Sequence, residues 1–140
     1  PFCFTDIDEI PNVEDRIKAC PGKYQSYVDK EYELRIHIIG QKVIAVKIDS
    51  QSNADAKIDW RSQSYQLTYE EYNLPSDLVA GILRFMSMMG LKLGVIDMIV
   101  TPSGEYVFLE VNPDGNWLWI EDFLPDIGIT RSIASWLLAN

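Results

Sequence analysis

The sequence of 140 residues is poor in the residues on which several kinds of site depend. It has one histidine and two cysteines, and Cys3 and Cys20 share no metal-ligand spacing with His37. A zinc site is therefore not predicted, and the two cysteines favour reduced thiols in a cytoplasmic protein. No apolar run approaches the ~20 residues of a membrane-spanning helix, and the first residues do not form a signal peptide.

Positive charge is also scarce. The 12 lysines and arginines face 21 aspartates and glutamates, which gives a net charge of −9. Because binding to nucleic acid or to anionic lipid needs a basic face, this balance argues against both as partners. The glycine-rich phosphate-binding motifs Gly-x-x-x-x-Gly-Lys-Ser/Thr and Gly-x-Gly-x-x-Gly are absent, as is the nucleophile motif Gly-x-Ser-x-Gly.

The chain does have enough apolar sequence for one core. Apolar residues make up 47% and charged residues 24%, fractions that are typical of a globular domain. A chain of this length can bury roughly 68–70% of its unfolded surface. The sequence lacks an initiator Met and opens within the apolar stretch Pro1-Phe2-Cys3-Phe4, which predicts a piece of a longer chain.

Alternating and helical patterns predict an α+β fold, mainly an antiparallel sheet with helices packed on one face. Ser76 is expected to cap the first long helix and Gly90 to end it, and the last helix is expected to bury Ile133, Trp136 and Leu137. The strands over 33–38 and 43–48 are expected to form a hairpin with one apolar side. Residues 49–73 are predicted to be a long polar loop. The predicted elements are a helical turn over 14–19, strands over 23–28, 33–38, 43–48, 95–100 and 106–112, and helices over 77–89 and 130–139.

The second predicted hairpin carries the clearest candidate site. If the two residues flanking the loop 102–105 pair, Asp97 lies opposite Glu110, with about 4.5–5.5 Å between their Cβ atoms. Alternation places Asn112 and Phe108 on the same face. Two opposed carboxylates repel each other unless a cation lies between them. Mg²⁺ binds one or two carboxylates and completes its shell with water and phosphate oxygens, so this set favours a nucleotide-bridging ion.

Plainer interpretations of the same residues stay open. The hairpin could be amphipathic with its carboxylates in water, and the segment 112–115 could be only a turn. Arg35 suits bidentate phosphate recognition, but it could equally be a surface arginine paired with Glu31 or Glu33. Arg61, beside Trp60, has the same two interpretations.

Two further features are ambiguous from sequence alone. His37 shares the face of Arg35, but a lone histidine on a strand is more often structural. Trp117 and Trp119 alternate just after the carboxylate hairpin, and they form either a stacking platform or part of the core.

Several segments form a distinctive set when they are taken in order along the chain. They are Gln25-Ser26-Tyr27-Val28-Asp29-Lys30, Glu33-Leu34-Arg35, Asp59-Trp60-Arg61, Asp97, Phe108-Leu109-Glu110-Val111-Asn112-Pro113 and the ending Asp114-Gly115-Asn116-Trp117. This ordered set resembles the C-terminal part of the ATP-grasp fold, in particular the ATP-grasp ligases that mature ribosomal peptides, the microviridin or graspetide type. The resemblance covers nearly the whole chain.

The resemblance implies a ligase that uses ATP and Mg²⁺. Such enzymes phosphorylate a carboxylate to an acyl phosphate, which an amine or hydroxyl then attacks, and here the partner would be a leader–core precursor peptide. Residues 1–28 would be the end of the first ATP-grasp lobe with its hinge strand, and residues 29–140 the C-terminal lobe. A homodimer is one arrangement open to it. This stretch would hold half of the nucleotide pocket and would bind ATP poorly alone.

The resemblance also implies roles for single residues. Gln25, Tyr27 and Val28 would line the adenine, Lys30 would lie near the ribose, and Phe108 would form an apolar floor under the base. Arg35 would hold the transferring phosphoryl group, with Arg61 near the phosphate and the acceptor. The implied metal ligands are Asp97, Glu110 and Asn112.

Two rival functions accompany this prediction. The same metal face could serve a phosphotransferase with a hydroxyl acceptor. Alternatively, the chain could be a remnant that has lost its nucleotide pocket and recognises a peptide through its tryptophans and tyrosines.

Overall fold

The computed structural model describes residues 13–19 and 25–139. Five strands form one antiparallel sheet, β1 (Tyr32–Ile39), β2 (Lys42–Ile48), β3 (Tyr69–Tyr72), β4 (Leu93–Val100) and β5 (Tyr106–Asn112), in the order β3-β2-β1-β4-β5. The helices are α1 (Val13–Ala19), α2 (Ser76–Met88), α3 (Leu118–Phe123) and α4 (Ile129–Ala139), with 3-10 turns at Ala54–Ala56 and Trp60–Gln66.

The central position of β1 buries both of its faces. The strand pairs with β2 on one side and with β4 on the other, and residues 33–39 are all buried. The alternation of charged and apolar residues in this strand predicts a hairpin with one wet face, and that prediction is wrong. The polar row of Glu33, Arg35 and His37 lies inside the protein, because further elements cover it.

Helices cover both faces of the sheet. On one face, α2 packs Ile82 and Met86 against the row that contains Ile36. On the other, Ile120 of α3 and Ile129 of α4 join a separate core with β2. The predicted antiparallel α+β class is confirmed, but the helices lie on two faces rather than one, because α3 and α4 pack on the side opposite α2.

Several element boundaries differ from the sequence-based expectation. The segment 49–73 contains β3 and two 3-10 turns rather than a continuous loop. Ser76 is the first residue of α2 and not its cap, since Pro75 precedes it. Leu137 of α4 is 59% exposed instead of buried. Residues 25–30 form no strand, and residues 23–24 lie outside the described part.

Close approach of backbone elements requires glycine at two turns. Gly40, between β1 and β2, has a φ of +61°, and a Cβ there would overlap the indole of Trp136 on α4. Gly115 follows β5, and a Cβ there would overlap the side chain of Val95 on β4. The turn after β5 therefore lies directly against the sheet. Among the described helices, none is long and apolar enough to cross a membrane.

His37 is a buried polar residue within this core. It is 2% exposed, and neither ring nitrogen has a hydrogen-bond partner of good geometry, although the Ile44 backbone lies close enough to raise its pKa slightly. Burial, assisted by the positive charge of Arg35, lowers the pKa of His37 from 6.5 to about 4. The imidazole is therefore neutral in the folded protein at physiological pH.

We expect Gly115→Ala to lower the free energy of unfolding by about 1–3 kcal/mol, because the added methyl must displace Val95 or the turn. The matched control is Gly81→Ala on α2, where a Cβ meets no atom within 4 Å, and which should stabilise the helix by roughly 0.5–1 kcal/mol. Denaturant unfolding followed by circular dichroism measures both. Equal changes in the free energy of unfolding for the two variants would contradict the close contact between Gly115 and Val95.

The lowered pKa of His37 also predicts a pH dependence of stability. The unfolded chain takes up a proton near pH 6.5 and the folded protein only near pH 4, so stability falls as pH falls through this window. Between pH 7 and pH 5 the loss from this group is about 2 kcal/mol. In His37→Leu this part of the loss should disappear, which unfolding curves of both proteins at the two pH values would show.

Candidate functional site

Asp97 and Glu110 lie opposite each other on β4 and β5, as predicted. Near the loop the register differs from the expected one, because Tyr106 pairs with Val100 and not with Thr101. A β-bulge between Met98 and Asp97 then adds one residue, Leu109, to β5 and restores the expected opposition.

The bulge separates Phe108 from the carboxylates. Phe108 pairs with Met98, and its ring packs against Phe85 of α2 with 5.4 Å between centroids. The expectation that it shares a face with Glu110 is wrong, because the extra residue reverses the alternation at this point. Asn112 does share that face, opposite Val95 and two residues from Glu110.

Arg35 makes the central contact of the site. It lies opposite Asp97 on the neighbouring strand, and its Nη1 donates to both carboxylate oxygens of Asp97, at 2.9 and 3.1 Å. Its Nη2 donates to the Asn116 carbonyl at 3.0 Å. The two charged side chains are only 7% and 8% exposed, so the interpretation of Arg35 as a surface arginine paired with Glu31 or Glu33 is wrong.

Burial raises the pKa of Asp97, while the charges of Arg35 and Arg61 oppose that rise. A buried carboxylate is expensive to ionise, and the Nη1 group of Arg35, which donates to both carboxylate oxygens, offsets much of this cost. The pair therefore depends on both partners being present.

Arg61 lies between the two opposed carboxylates. Its Nη2 is 3.1 Å from Asp97 Oδ2 and 3.3 Å from Glu110 Oε1. Its backbone N–H donates to Asp59, the residue that caps the 3-10 turn. Burial acts to lower the pKa of Arg61, but the charges of Asp97, Asp59 and Glu110 raise it. A cation thus occupies the position where opposed carboxylates require one.

Indole rings support both arginines. The Arg35 guanidinium lies 5.9 Å from the centroid of Trp119, and that of Arg61 lies 5.5 Å from Trp60. The two indoles contact each other, with 5.2 Å between centroids. Trp119 therefore belongs to the wall of the site and to the core, and it is not a free stacking platform. The triplet Asp59-Trp60-Arg61 made part of this arrangement predictable from the sequence. Nothing in the sequence indicated the contact with the Asn116 carbonyl.

A groove beside residues 25–30 runs up to this cluster. It encloses about 400 Å³, and its lining includes all five residues implied to bind nucleotide together with both Arg61 and Glu110. Those five are Gln25, Tyr27, Val28, Lys30 and Phe108. We call this surface the 25–30 groove.

Lys30 closes the floor of the 25–30 groove. Its side chain is 6% exposed, and its Nζ donates to Glu33 Oε1 at 2.6 Å and to the Ile58 carbonyl at 3.0 Å. Burial raises the pKa of Glu33, against the effect of Lys30. Lys30 thereby ties the segment before β1 to the loop after β2.

A second pocket lies on the other side of Arg61. It encloses about 340 Å³ and is lined by Arg35, Trp60, Arg61, Asn116, Trp119 and Phe123, among others. Since Arg61 lines this arginine pocket and the 25–30 groove, its half-exposed side chain connects the two.

The oxygen atoms of Asp97, Glu110 and Asn112 suit a Mg²⁺ ion that also binds phosphate better than an ion that is coordinated by protein alone. Within 13–19 and 25–139, no group of three or more His, Cys, Asp and Glu residues is arranged to hold a metal ion. Two carboxylates that already face one cation, plus the Asn112 amide, suit an ion that takes its remaining ligands from water and phosphate. The Asn112 side chain also accepts a hydrogen bond from Asp114 N–H at 3.0 Å, which orders the turn after β5.

No protein-family model and no curated protein matches the chain, but solved structures do. A RiPP-associated ATP-grasp ligase from Chryseobacterium gregarium, in complex with ADP and a leader and core peptide, has a TM-score of 0.85 and 33% identity over 96% of this chain and 40% of that chain. The macrocyclase MdnC from Microcystis aeruginosa MRC, bound with precursor peptide MdnA, has a TM-score of 0.79 and 35% identity over 97% of this chain and 42% of that chain. The predicted resemblance to ATP-grasp ligases of ribosomal peptides is confirmed.

The ATP-grasp ligase PsnB, complexed with a phosphomimetic variant of its minimal precursor, Mg and ADP, shares the fold at 16% identity and a TM-score of 0.67. That match covers 93% of this chain and 40% of that chain. The chain thus spans about two fifths of the length of these ATP-grasp ligases. Its sheet and helices form one ATP-grasp lobe.

The buried pair predicts unequal costs for neutralising the two opposed carboxylates. Asp97→Asn leaves Arg35 buried without a full counter-charge and should lower the free energy of unfolding by about 3–5 kcal/mol. Glu110 is 50% exposed, so Glu110→Gln should cost less than about 1 kcal/mol. Denaturant titration of both variants makes the comparison, and similar losses would contradict the central role of the Arg35–Asp97 pair.

Proposed function

We propose that the intact protein is an ATP-dependent ligase that joins a carboxylate to an amine or hydroxyl through an acyl phosphate. Its substrate would be a ribosomal precursor peptide, with side chains joined as esters or amides. The observation that carries the proposal is Arg61 bridging Asp97 and Glu110 at the edge of the 25–30 groove. Support comes from ligases of the same fold whose structures contain ADP and leader and core peptides.

In this proposal Mg²⁺ is held by Asp97, Glu110 and Asn112. When bound, the ion neutralises the charge of the nucleotide phosphates. Because Arg61 contacts both carboxylates, the residues present already favour a cation between them. The PsnB structure with Mg and ADP, although it shares only the fold, has the cofactors that this site would use.

ATP would bind along the 25–30 groove, with the base near Gln25, Tyr27 and Val28. Lys30 has two of its three N–H donors engaged by Glu33 and Ile58, which leaves one for a ribose oxygen. Phe108 is 47% exposed and lines the same groove. Its apolar ring could therefore lie under the base even though it faces away from Glu110.

The two arginines would divide the work around the transferring phosphoryl group. Both Nη atoms of Arg35 are engaged by Asp97 and Asn116, so Arg35 supplies a fixed positive charge behind the site. Arg61 is 49% exposed and lines both pockets, so it is placed to touch phosphate and acceptor. Preorganised positive charge of this kind is what phosphoryl transfer requires from a protein.

The chemistry balances without another reactant. A substrate carboxylate oxygen attacks the γ-phosphorus of ATP, and ADP leaves. The amine or hydroxyl then attacks the acyl carbon, and phosphate leaves with the carboxylate oxygen. The net change in the peptide is the loss of one water for each bond formed.

We also propose how these residues divide between the lobes of the intact protein and where that protein is located. Residues 29–140 would form the C-terminal lobe, and residues 1–28 would be the end of the first lobe and its hinge. A protein that consumes ATP and whose two cysteines fit no metal site suits the cytoplasm. The homodimer stays a prediction that sedimentation would measure.

The test uses the intact protein with ATP, Mg²⁺ and a Thr- and Glu/Asp-rich precursor peptide encoded beside its gene. Glu110→Gln should slow ADP production by at least about tenfold, because loss of a metal ligand costs no less than loss of a supporting residue. The control is Glu105→Gln, at the loop end of the same hairpin, which should leave the rate unchanged.

Mass spectrometry of the peptide distinguishes the possible activities. Loss of one water per turnover, together with ADP, supports ligation. A peptide that gains a phosphate would indicate a phosphotransferase, and a peptide that binds without ADP release would indicate a recognition module. Either of these two outcomes, or an unchanged rate in Glu110→Gln, would overturn the proposal.

A further inference from the structure

A cavity that the proposed function does not use lies near the start of β4. It encloses about 220 Å³ between β1, β4, the turn 113–115 and α4. Most of its wall is apolar, formed by Ile38, Ile39, Leu93, Val95, Ile129 and Ile133. His37, Trp117, Gly94 and residues 113–115 form the rest of the lining.

Three side-chain nitrogens of the residues that line the cavity lack a hydrogen-bond partner of good geometry. Across the part of the chain that the structure describes, four buried side-chain nitrogens have no hydrogen-bond partner. Three of them are the two ring nitrogens of His37 and Nε1 of Trp117. Burying a polar group without a partner costs about 1–3 kcal/mol, and such groups are rare in folded proteins. Their concentration around one cavity indicates that something else satisfies them.

The size and wall of the cavity limit what that occupant is. An apolar cavity of roughly 150 Å³ is enough to bind benzene, so this one has room for a group the size of an amino-acid side chain. Water would satisfy the nitrogens but would leave the aliphatic wall wet, and replacing weakly held water by an apolar group gains affinity. A good occupant therefore has an apolar body and a small polar end.

The charges near the cavity favour an uncharged occupant. Asp114 is part of the lining and would repel an anion. A cation would lose its hydration against the aliphatic wall. The carboxylate that could attract it, on Asp114, is exposed to water, and the imidazole is neutral because burial and Arg35 lower the pKa of His37 to about 4. Ionic ligands of either sign are thus disfavoured.

We propose that this cavity is a binding site for an uncharged, side-chain-sized group that has an apolar body and one hydroxyl or carbonyl oxygen. The oxygen accepts a hydrogen bond from Trp117 Nε1, and the His37 ring forms a second bond to the same polar end. The turn 113–115 forms part of the wall, and it connects Asn112 with Asn116, whose carbonyl holds Arg35. An occupant therefore contacts the segment that links two parts of the candidate site.

The test is a titration of the intact protein with phenol in the absence of nucleotide, followed by ¹H–¹⁵N spectra of the indole and imidazole groups. Phenol should shift the Trp117 and His37 signals and should bind about tenfold more tightly than benzene, which lacks the hydroxyl. Benzoate, the charged analogue, should bind more weakly than phenol.

Trp117→Phe removes the indole donor and keeps an aromatic ring. In this variant the preference for phenol over benzene should fall to about threefold or less, because one of two hydrogen bonds is lost. The matched control is Trp136→Phe on α4, whose indole lines a different pocket and which should keep the full preference.

Three results would overturn the proposal. Phenol and benzene could bind equally, phenol could leave the Trp117 and His37 signals unmoved, or Trp136→Phe could lose as much preference as Trp117→Phe. Should Trp117→Phe not fold, the phenol–benzene comparison in the unsubstituted protein still decides. Because no nucleotide is present, failure here leaves the ligase proposal intact, and the reverse also holds.

Discussion

The structure depends on one ion pair in its interior, between Arg35 and Asp97. It joins the central strand β1 to its neighbour β4, where both charged side chains are buried. Two hydrogen bonds between the side chains, a third to the Asn116 carbonyl and the face of Trp119 together compensate for the lost water. The contacts of Arg35 therefore hold β1, β4, the turn after β5 and the indole of Trp119 in one arrangement. The chemistry of the site depends on the fixed positive charge of Arg35.

Arg61 adds an adjustable element to this fixed centre. It comes from the 3-10 turn, is half exposed, and reaches Asp97 and Glu110 from outside the sheet. Segments far apart in sequence thus converge on two carboxylates, one buried and one half-exposed. The environments differ although the residues face each other, so the buried carboxylate also holds two strands together while the half-exposed one is accessible to a ligand along its whole side chain.

The sequence allowed the hairpins and the opposed carboxylates to be predicted, because period-two alternation is a local signal. It misjudged β1, where charged residues alternate as on a wet surface but are paired inside the protein. The segment Tyr69–Tyr72 is only four residues long and half acidic, so its pairing with β2 leaves little local trace. Likewise, Leu118–Phe123 is too short for a helical period, and the spacing of Trp117 and Trp119 suggested a strand.

The bulge at Leu109 changes the face of the hairpin on which alternate side chains of β5 lie. On the loop side of this residue, Tyr106 and Phe108 lie on the α2 side of the sheet, whereas beyond it Glu110 and Asn112 lie on the side of Asp97 and Arg61. The face on which each of these side chains lies therefore depends on the number of residues in β5, and not on which amino acid stands at position 109. Loss of a single residue there would turn both oxygen donors toward the wrong helix, even though every amino acid of the site remained in the chain.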